Sequence, residues 1–563
     1  MTSWTLRYLG VAAVLATTAL VGTPAAAQCK GDNGGIVLSP GFCATVFADN
    51  LGHVRHMVVA PDGTLYANSW SGRYFRTAPP APPGPFLIAM KDTKGTGHAD
   101  VVQRFGTSPE KDGAGGSGIA LYNGGLFVEE KDRILRYDLP AGQLVPKGEP
   151  TVIVSGLPLT GDHPMHPFVI SAKGDLFVDL GTITNACQAE NRMQGAKGID
   201  PCTEKQTRGG TWRYDANKTG QVFSPKERYA SGIRNGEGLA FDAAGQLYAT
   251  QHGRDQLYQN WPQLYTPEQS AELPAEEVVQ VKQGADYGWP ECYYDQDQKK
   301  LVLAPEYGGD GGKTVGLCAQ RTGPVAAFPG HWAPNDLAIY LGNKFPEAYR
   351  GGLFVAFHGS WNRAPLPQGG YNVAFQAMSD GKAVGPYVIF ADGFAGASKE
   401  PGRATYRPTG LAVSPDGSLY ISDDVRGRIW RVTYEGNGSD KVASAPEPKT
   451  VAARTDAKGP LSTPPGATAQ QVAAGDKLYH AQACIGCHGS DGRGTPVGPP
   501  LQWDRWAWSD GSVAGIADII AKGVPKPKRY QGAMPAMGGA QLSKDQLTEI
   551  AAYVWALSHA DDR

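Results

Sequence analysis

The chain of 563 residues carries 52 Lys plus Arg against 54 Asp plus Glu, a formal net charge of -2. That excludes a general electrostatic pull toward nucleic acid or anionic lipid and leaves room only for a local basic pocket. With 74 glycines, 43 prolines and 19% charged residues, the composition favours a turn-rich all-β protein, and the length calls for a large domain plus a small one.

In chain order, residues 1–27 open with Arg7, run apolar from Leu9 to Val21 and close on the small-residue pattern Ala25-x-Ala27. This is the layout of a secretory signal peptide cleaved after Ala27. The apolar run is shorter than the roughly 20 residues that span a bilayer, and no later segment is apolar enough, so the expected protein is periplasmic or secreted with no integral membrane segment. An oxidising compartment makes Cys29, Cys43, Cys187, Cys202, Cys292 and Cys318 disulfide candidates, and pairing of sequence neighbours, 29–43, 187–202 and 292–318, is the preferred connectivity.

A hairpin unit then recurs six times: an apolar pair, a turn glycine, one residue, and a leucine opening an alternating strand. The repeated leucines are Leu65, Leu126, Leu176, Leu247, Leu353 and Leu419. Such hairpins bury their faces only against one another, which points to a six-bladed β-propeller over residues 28–435, with a pair of β-sandwiches as the structural alternative. The long gap after Leu247 holds an insertion suited to a functional loop. Residues 436–469, rich in Pro, Ala, Ser and Thr without apolar period, read as an extended linker that lets a second domain swing.

From residue 470 the pattern turns helical. Cys484, Cys487 and His488 in "ACIGCHG" fall on one face of a helical turn, the signature of covalent c-type haem attachment; a zinc site would want two further ligands nearby. Ser543 and Gln546 form a capping box before a last helix whose stripe is Leu547, Ile550, Ala551, Val554 and Leu557. The aromatic run 503–511 reads as core packing.

Residues 470–563 resemble class I cytochromes c in "GDKLYHAQACIGCHGSDGRGTPVGPPL" and "GAMPAMGG". The resemblance implies one covalent haem c, with His488 as proximal and Met534 as distal iron ligand, Met537 as the competing sulfur, and the Pro499 carbonyl receiving the His488 ring N–H. Methionine ligation raises the iron potential.

Over most of residues 36–434, "GIRNGEGLAFD", "QHGRDQL", "TRGGTWRYD", "FHGSWNRAPLP" and "RPTGLAVSPDGSLYISDD" resemble the pyrroloquinoline-quinone (PQQ) sugar dehydrogenases, in detail the pyranose and sorbosone branch. That implies His163 as general base, with His166 as rival; Arg234 and Asn235 against the quinone; Arg407, or the nearby Arg403, on a cofactor carboxylate; and calcium on the main-chain carbonyls of Gly253 and Arg254. Where the glucose enzymes place an aspartate, this sequence has Thr182, with Asn185 as a substitute partner for the histidine, and Glu237 replaces a glutamine. These departures speak against glucose as the substrate.

The combined expectation is a quinohaemoprotein oxidising a sugar or sugar-derived aldehyde with PQQ and calcium. It would pass electrons to haem c and on to a soluble cytochrome or respiratory-chain component. The rival classes are a calcium-dependent, lactonase-like propeller hydrolase and a non-catalytic sugar-binding propeller tethered to an electron carrier.

Overall fold

The structure, a computed structural model, describes residues 1, 29–69, 82–108, 116–364, 366–437, 441–448, 461–495, 498–502, 506–528, 530 and 533–560. The signal-peptide segment up to residue 28, the middle of the expected linker at 449–460 and Trp503 to Arg505 of the aromatic run lie outside the described residues.

Six sheets of four or five strands form the propeller, antiparallel throughout except that Gln221–Val222 joins Thr151–Ser155 in parallel. The second strand of each blade starts at or beside the repeated leucine: Leu65–Ser69, Gly125–Glu130, Asp175–Leu180, Leu247–Gln251, Leu353–Phe357 and Leu419–Asp423. Those leucines are the core contacts between blades; five are fully buried and Leu247 is 4% exposed, so each contributes about 1.5–3 kcal/mol of apolar burial. The hairpin glycine of every copy, Gly63, Gly124, Gly174, Gly245, Gly351 and Gly417, has positive φ, the conformation that a tight strand-matched turn demands and a side chain resists.

The ring is sealed by Phe42–Ala48, which pairs antiparallel with Ile429–Tyr434 and completes the last blade. A sheet closed this way keeps its edges short and protected. The three neighbour disulfides form as expected, Cys29–Cys43, Cys187–Cys202 and Cys292–Cys318. The last clamps the hairpin of Cys292–Asp295 and Lys300–Leu303, part of the insertion in the fourth blade.

The expected linker departs from a free spacer at both ends. Ser39 donates to the Ala443 carbonyl at 2.6 Å, Ala445 N–H donates to Ile389 at 2.7 Å, and Val442 packs on the core of the last two blades. The backbone of 443–445 satisfies its polar groups on a sheet edge, which a composition-based reading misses. At the other end, Leu461 and Ala467 already pack on the second domain's core.

That domain is all-helical. The helix Ala469–Ala481 crosses Lys544–Ser558 at Gly475, where a Cβ would lie 1.9 Å from the Glu549 carbonyl oxygen. Ser543 and Gln546 form the expected capping box, and Ile550, Ala551, Val554 and Leu557 are buried while Leu547 packs at the core's edge. Trp506 packs on the same core, whereas Trp508 is 46% exposed.

Candidate functional site

Loops at one end of the blades converge on a cavity of about 1250 Å³ whose lining includes His163, Arg234, Asn235, His358 and Arg407 from the propeller and Cys484, Cys487, His488 and Met534 from the helical domain. The two sets of residues that the sequence analysis treated as separate sites thus border one space.

His163 precedes the third blade, and its Nδ1 lies 3.1 Å from Thr182 Oγ1 and 3.2 Å from the Thr182 carbonyl oxygen. The Thr182 hydroxyl spends its own hydrogen on the Thr184 carbonyl at 2.8 Å. Both atoms facing Nδ1 are therefore acceptors, which puts the ring proton on Nδ1 and leaves the Nε2 lone pair free. Burial, then the positive charge of Arg234, holds the His163 pKa well below its ordinary value, so the ring is neutral. Thr182 itself supplies the orienting partner. Asn185 instead braces Arg234, accepting from Nη2 at 3.0 Å on its side-chain oxygen and from Nε at 3.1 Å on its carbonyl.

The rival His166 is fully buried, with Nδ1 at 3.1 Å from Glu129 Oε1 and Nε2 at 2.9 Å from the Pro158 carbonyl oxygen. Both ring nitrogens are engaged inside the core and the residue does not border the cavity. Similarly, Arg403 does not join the cavity lining; its Nε lies 3.7 Å from Asp491 of the helical domain.

Arg234 is held on every side: besides Asn185, it donates to Asp255 Oδ2 at 2.9 Å and to the Gly253 carbonyl at 2.9 Å. Asp255 also accepts from Arg192 at 3.0 Å and from Asn362 at 2.8 Å. Burial pushes Asp255 up, but Arg234 and Arg192 outweigh it and hold the carboxyl below the usual carboxylate range. A second ionic hub is Asp424, 2.7 Å from both His358 Nε2 and Arg55 Nη1. Burial, then Arg407, lowers His358 to about 4. Arg407 is aimed by its bonds to the carbonyls of His358 and Gly359, 2.9 and 2.8 Å, leaving Nη1 without a partner among the described residues.

Arg55, Arg192, Asp255, His358, Trp361 and Asp424 escaped the sequence reading as site residues. Four of them stand inside the stretches "QHGRDQL", "FHGSWNRAPLP" and "LYISDD", so the motifs were visible and only the roles were not. Arg55 and Arg192 carry no such signal.

The donor set discriminates among the implied groups. A polycarboxylate quinone fits: Arg407 Nη1 and Asn235 offer donors, and the buried Oε1 of Glu237 and Oδ1 of Asn362 have no partner among the described residues, which leaves acceptors for ring N–H or substrate hydroxyl groups. Haem fits as well. Cys484 and Cys487 are unpaired, His488 Nδ1 donates to the Pro499 carbonyl at 2.8 Å so that Nε2 is the free ligand atom, and Met534 borders the cavity. Met537 lies outside the lining and its Sδ accepts the Leu542 N–H at 3.4 Å. For calcium, Gly253 borders the cavity, and its carbonyl, with two lone pairs, accepts one bond from Arg234 Nη1 at 2.9 Å; the Arg254 side chain turns away to Glu306 at 2.7 Å, so only its main-chain carbonyl is in question as a ligand.

Comparison with known proteins gives two families. Residues 36–435 match the family described as TrAA12-like, and residues 470–554 match that described as cytochrome C oxidase, cbb3-type, subunit III. A pyrroloquinoline quinone-dependent pyranose dehydrogenase of Coprinopsis cinerea is 29% identical over 231 residues, 35% of this chain and 30% of the relative. An uncharacterized protein of Borreliella burgdorferi is 28% identical over 213 residues, 37% of this chain and 49% of the relative. The cbb3-type cytochrome c oxidase subunit FixP of Azorhizobium caulinodans is 37% identical over 86 residues, 15% of this chain and 29% of the relative. The chain thus spans less than half the length of these curated relatives. The holo pyranose dehydrogenase PQQ domain from Coprinopsis cinerea superposes with TM-score 0.55 at 20% identity, covering 71% of this chain and 97% of that one. The calcium structure of the Trichoderma reesei AA12 enzyme gives 0.56 at 17%, with the same coverage.

Proposed function

Over residues 36–435 the chain belongs to the TrAA12-like family, and from that premise we propose that it is an exported quinohaemoprotein dehydrogenase oxidising a sugar or sugar-derived aldehyde. The observation that carries this reading is the single cavity bordered both by His163 and by the Cys484, Cys487 and His488 set. A hydrolase has no use for an electron carrier opening onto its active site, and neither has a binding module.

When bound, PQQ supplies a hydride acceptor in the propeller cavity and haem c a one-electron carrier at its border. The chain's own work is to hold, orient and deprotonate. Arg407 grips a carboxylate through Nη1, and its fixed Nε and Nη2 bonds keep that donor aimed. Arg234, locked by Asp255 and Asn185, presents a rigid positive edge where negative charge grows during hydride loss. His163 takes the proton of the substrate hydroxyl on Nε2, its Nδ1–H staying on Thr182. Cys484 and Cys487, raised by burial to about 12 and about 11, remain thiols until thioether bonds form. His488, through Nε2, and Met534 would hold the iron.

The test is to load the chain with PQQ and haem and offer candidate pentoses, hexoses and their aldehydes while following the reduced-haem absorption. Quinone-dependent reduction by at least one of them is expected, and its absence across the panel sinks the reading. His163→Ala abolishes it while leaving sugar affinity in place, an outcome a binding module would not produce.

A further inference from the structure

Gly486 occupies the second variable position of Cys484-x-x-Cys487-His488, inside the short helix Cys484–His488, and its φ is not positive. Its backbone therefore asks for no glycine, and in a helix glycine costs about 1 kcal/mol relative to alanine. The reason for it lies across the domain boundary: a Cβ on Gly486 would lie 2.1 Å from Cε3 and 2.8 Å from Cζ3 of Trp361, a propeller residue that borders the cavity. The tryptophan ring is seated flush on the turn that carries both thioether cysteines. On its other side Trp361 follows His358 and Gly359, whose carbonyls aim Arg407.

Two further groups of contacts join the same two domains. A Cβ on Gly402 would lie 2.6 Å from the Gly494 carbonyl oxygen, with Arg403 facing Asp491 and Ser490 bonded to Glu400 alongside. Elsewhere on the boundary a Cβ on Gly539, in the loop that follows Met534, would lie 2.6 Å from the Arg192 carbonyl oxygen, and Gln256 donates to Gly538 at 3.4 Å. Both ligand-bearing segments of the helical domain are thus pinned against the cavity rim.

Resting on the dehydrogenase reading above, we propose that the Trp361–Gly486 contact is the seam through which electrons leave the propeller cavity for the haem-bearing segment, Gly486 being the residue that lets the indole close against it. Electron tunnelling falls steeply with the gap between packed atoms, and a ring in van der Waals contact removes a through-space jump. Each substrate oxidised yields two electrons and two protons. The electrons cross singly, each converting one ferric iron to ferrous, and a one-electron acceptor such as ferricyanide reoxidises the iron between crossings; the protons pass to solvent. Trp361 and Gly486 are positioning residues, since neither touches the reacting bond.

The test compares wild-type holoenzyme with Gly486→Ala by three readouts: substrate-driven haem reduction in stopped flow, turnover with a small two-electron dye that draws directly on the propeller, and hydrogen exchange of the 484–490 backbone. The expected result is haem reduction at least tenfold slower, dye turnover within twofold of wild type, an unchanged dithionite-reduced spectrum and midpoint potential, and faster exchange. Unchanged haem reduction in Gly486→Ala overturns the proposal. Should that variant fail to attach haem, Trp361→Leu carries the test from the propeller side: the ratio of haem reduction to dye turnover falls at least tenfold, and an unchanged ratio overturns the seam. Failure of the dehydrogenase reading looks different, because wild type would then reduce neither dye nor haem, and exchange in Gly486→Ala equal to wild type would separately refute the contact.

Discussion

The Nδ1 of His163 lies 3.1 Å from the hydroxyl oxygen of Thr182, whose hydrogen is already committed to the Thr184 carbonyl. A threonine thus sets the tautomer where related glucose enzymes are expected to use a carboxylate. Thr182→Val removes the hydroxyl acceptor but leaves the carbonyl at 3.2 Å, a loss of about 1 kcal/mol. Turnover number is expected to fall about fivefold with substrate affinity unchanged, and Thr182→Ser to restore it. A Val variant at wild-type rate would show that the hydroxyl orients nothing.

The pH profile follows from the same ring. Because burial and Arg234 lower the His163 pKa beneath 6.5, the base stays neutral on acidification past that value and loses activity only at lower pH. The acid limb of kcat/KM, which reports the free enzyme, is expected below pH 6.5; a limb at or above it would contradict the buried environment.

Met534 and Met537 separate by electrochemistry. Met534→Leu is expected to lower the haem midpoint potential and abolish the sulfur-to-iron charge-transfer absorption, since thioether ligation raises the potential. Met537→Leu, which loses only a contact from the Leu542 N–H, retains both. The reverse pattern would exchange the two assignments.

Glu277 makes stability depend on pH. Burial pushes its carboxyl up to about 8, with the Gln251 hydrogen bond pulling the other way. The unfolded side chain ionises from about pH 4.5 and the folded one only near 8, so the folded state binds the extra proton in that window and stability falls as pH rises through it. The unfolding midpoint is expected to drop between pH 5 and pH 8, and Glu277→Gln to flatten that slope; an identical slope in the variant would assign it elsewhere.

Most of the fold was legible because its signals are local. The repeated leucines and turn glycines need only a short window to specify a hairpin, and the Cys484, Cys487 and His488 spacing needs only one helical turn. The site was legible as motifs and opaque as geometry. Arg407 and Arg403 are four residues apart and indistinguishable in sequence, yet one is aimed by the His358 carbonyl and the other faces Asp491. His163 and His166 differ by what lies across the fold from them, Thr182 in one case and Glu129 in the other. The docking of the second domain on the cavity had no signal except Gly486, and a glycine in a variable position carries no meaning until Trp361 is seen against it.

The strand Phe42–Ala48, which completes the last blade by pairing with Ile429–Tyr434, also dictates an order of assembly. Pairing between segments so distant in sequence is slow, and the ring stays open until Ile429–Tyr434 is in place. The segment carrying Cys484, Cys487 and His488 follows that strand in the chain, so it meets a propeller that can already be sealed.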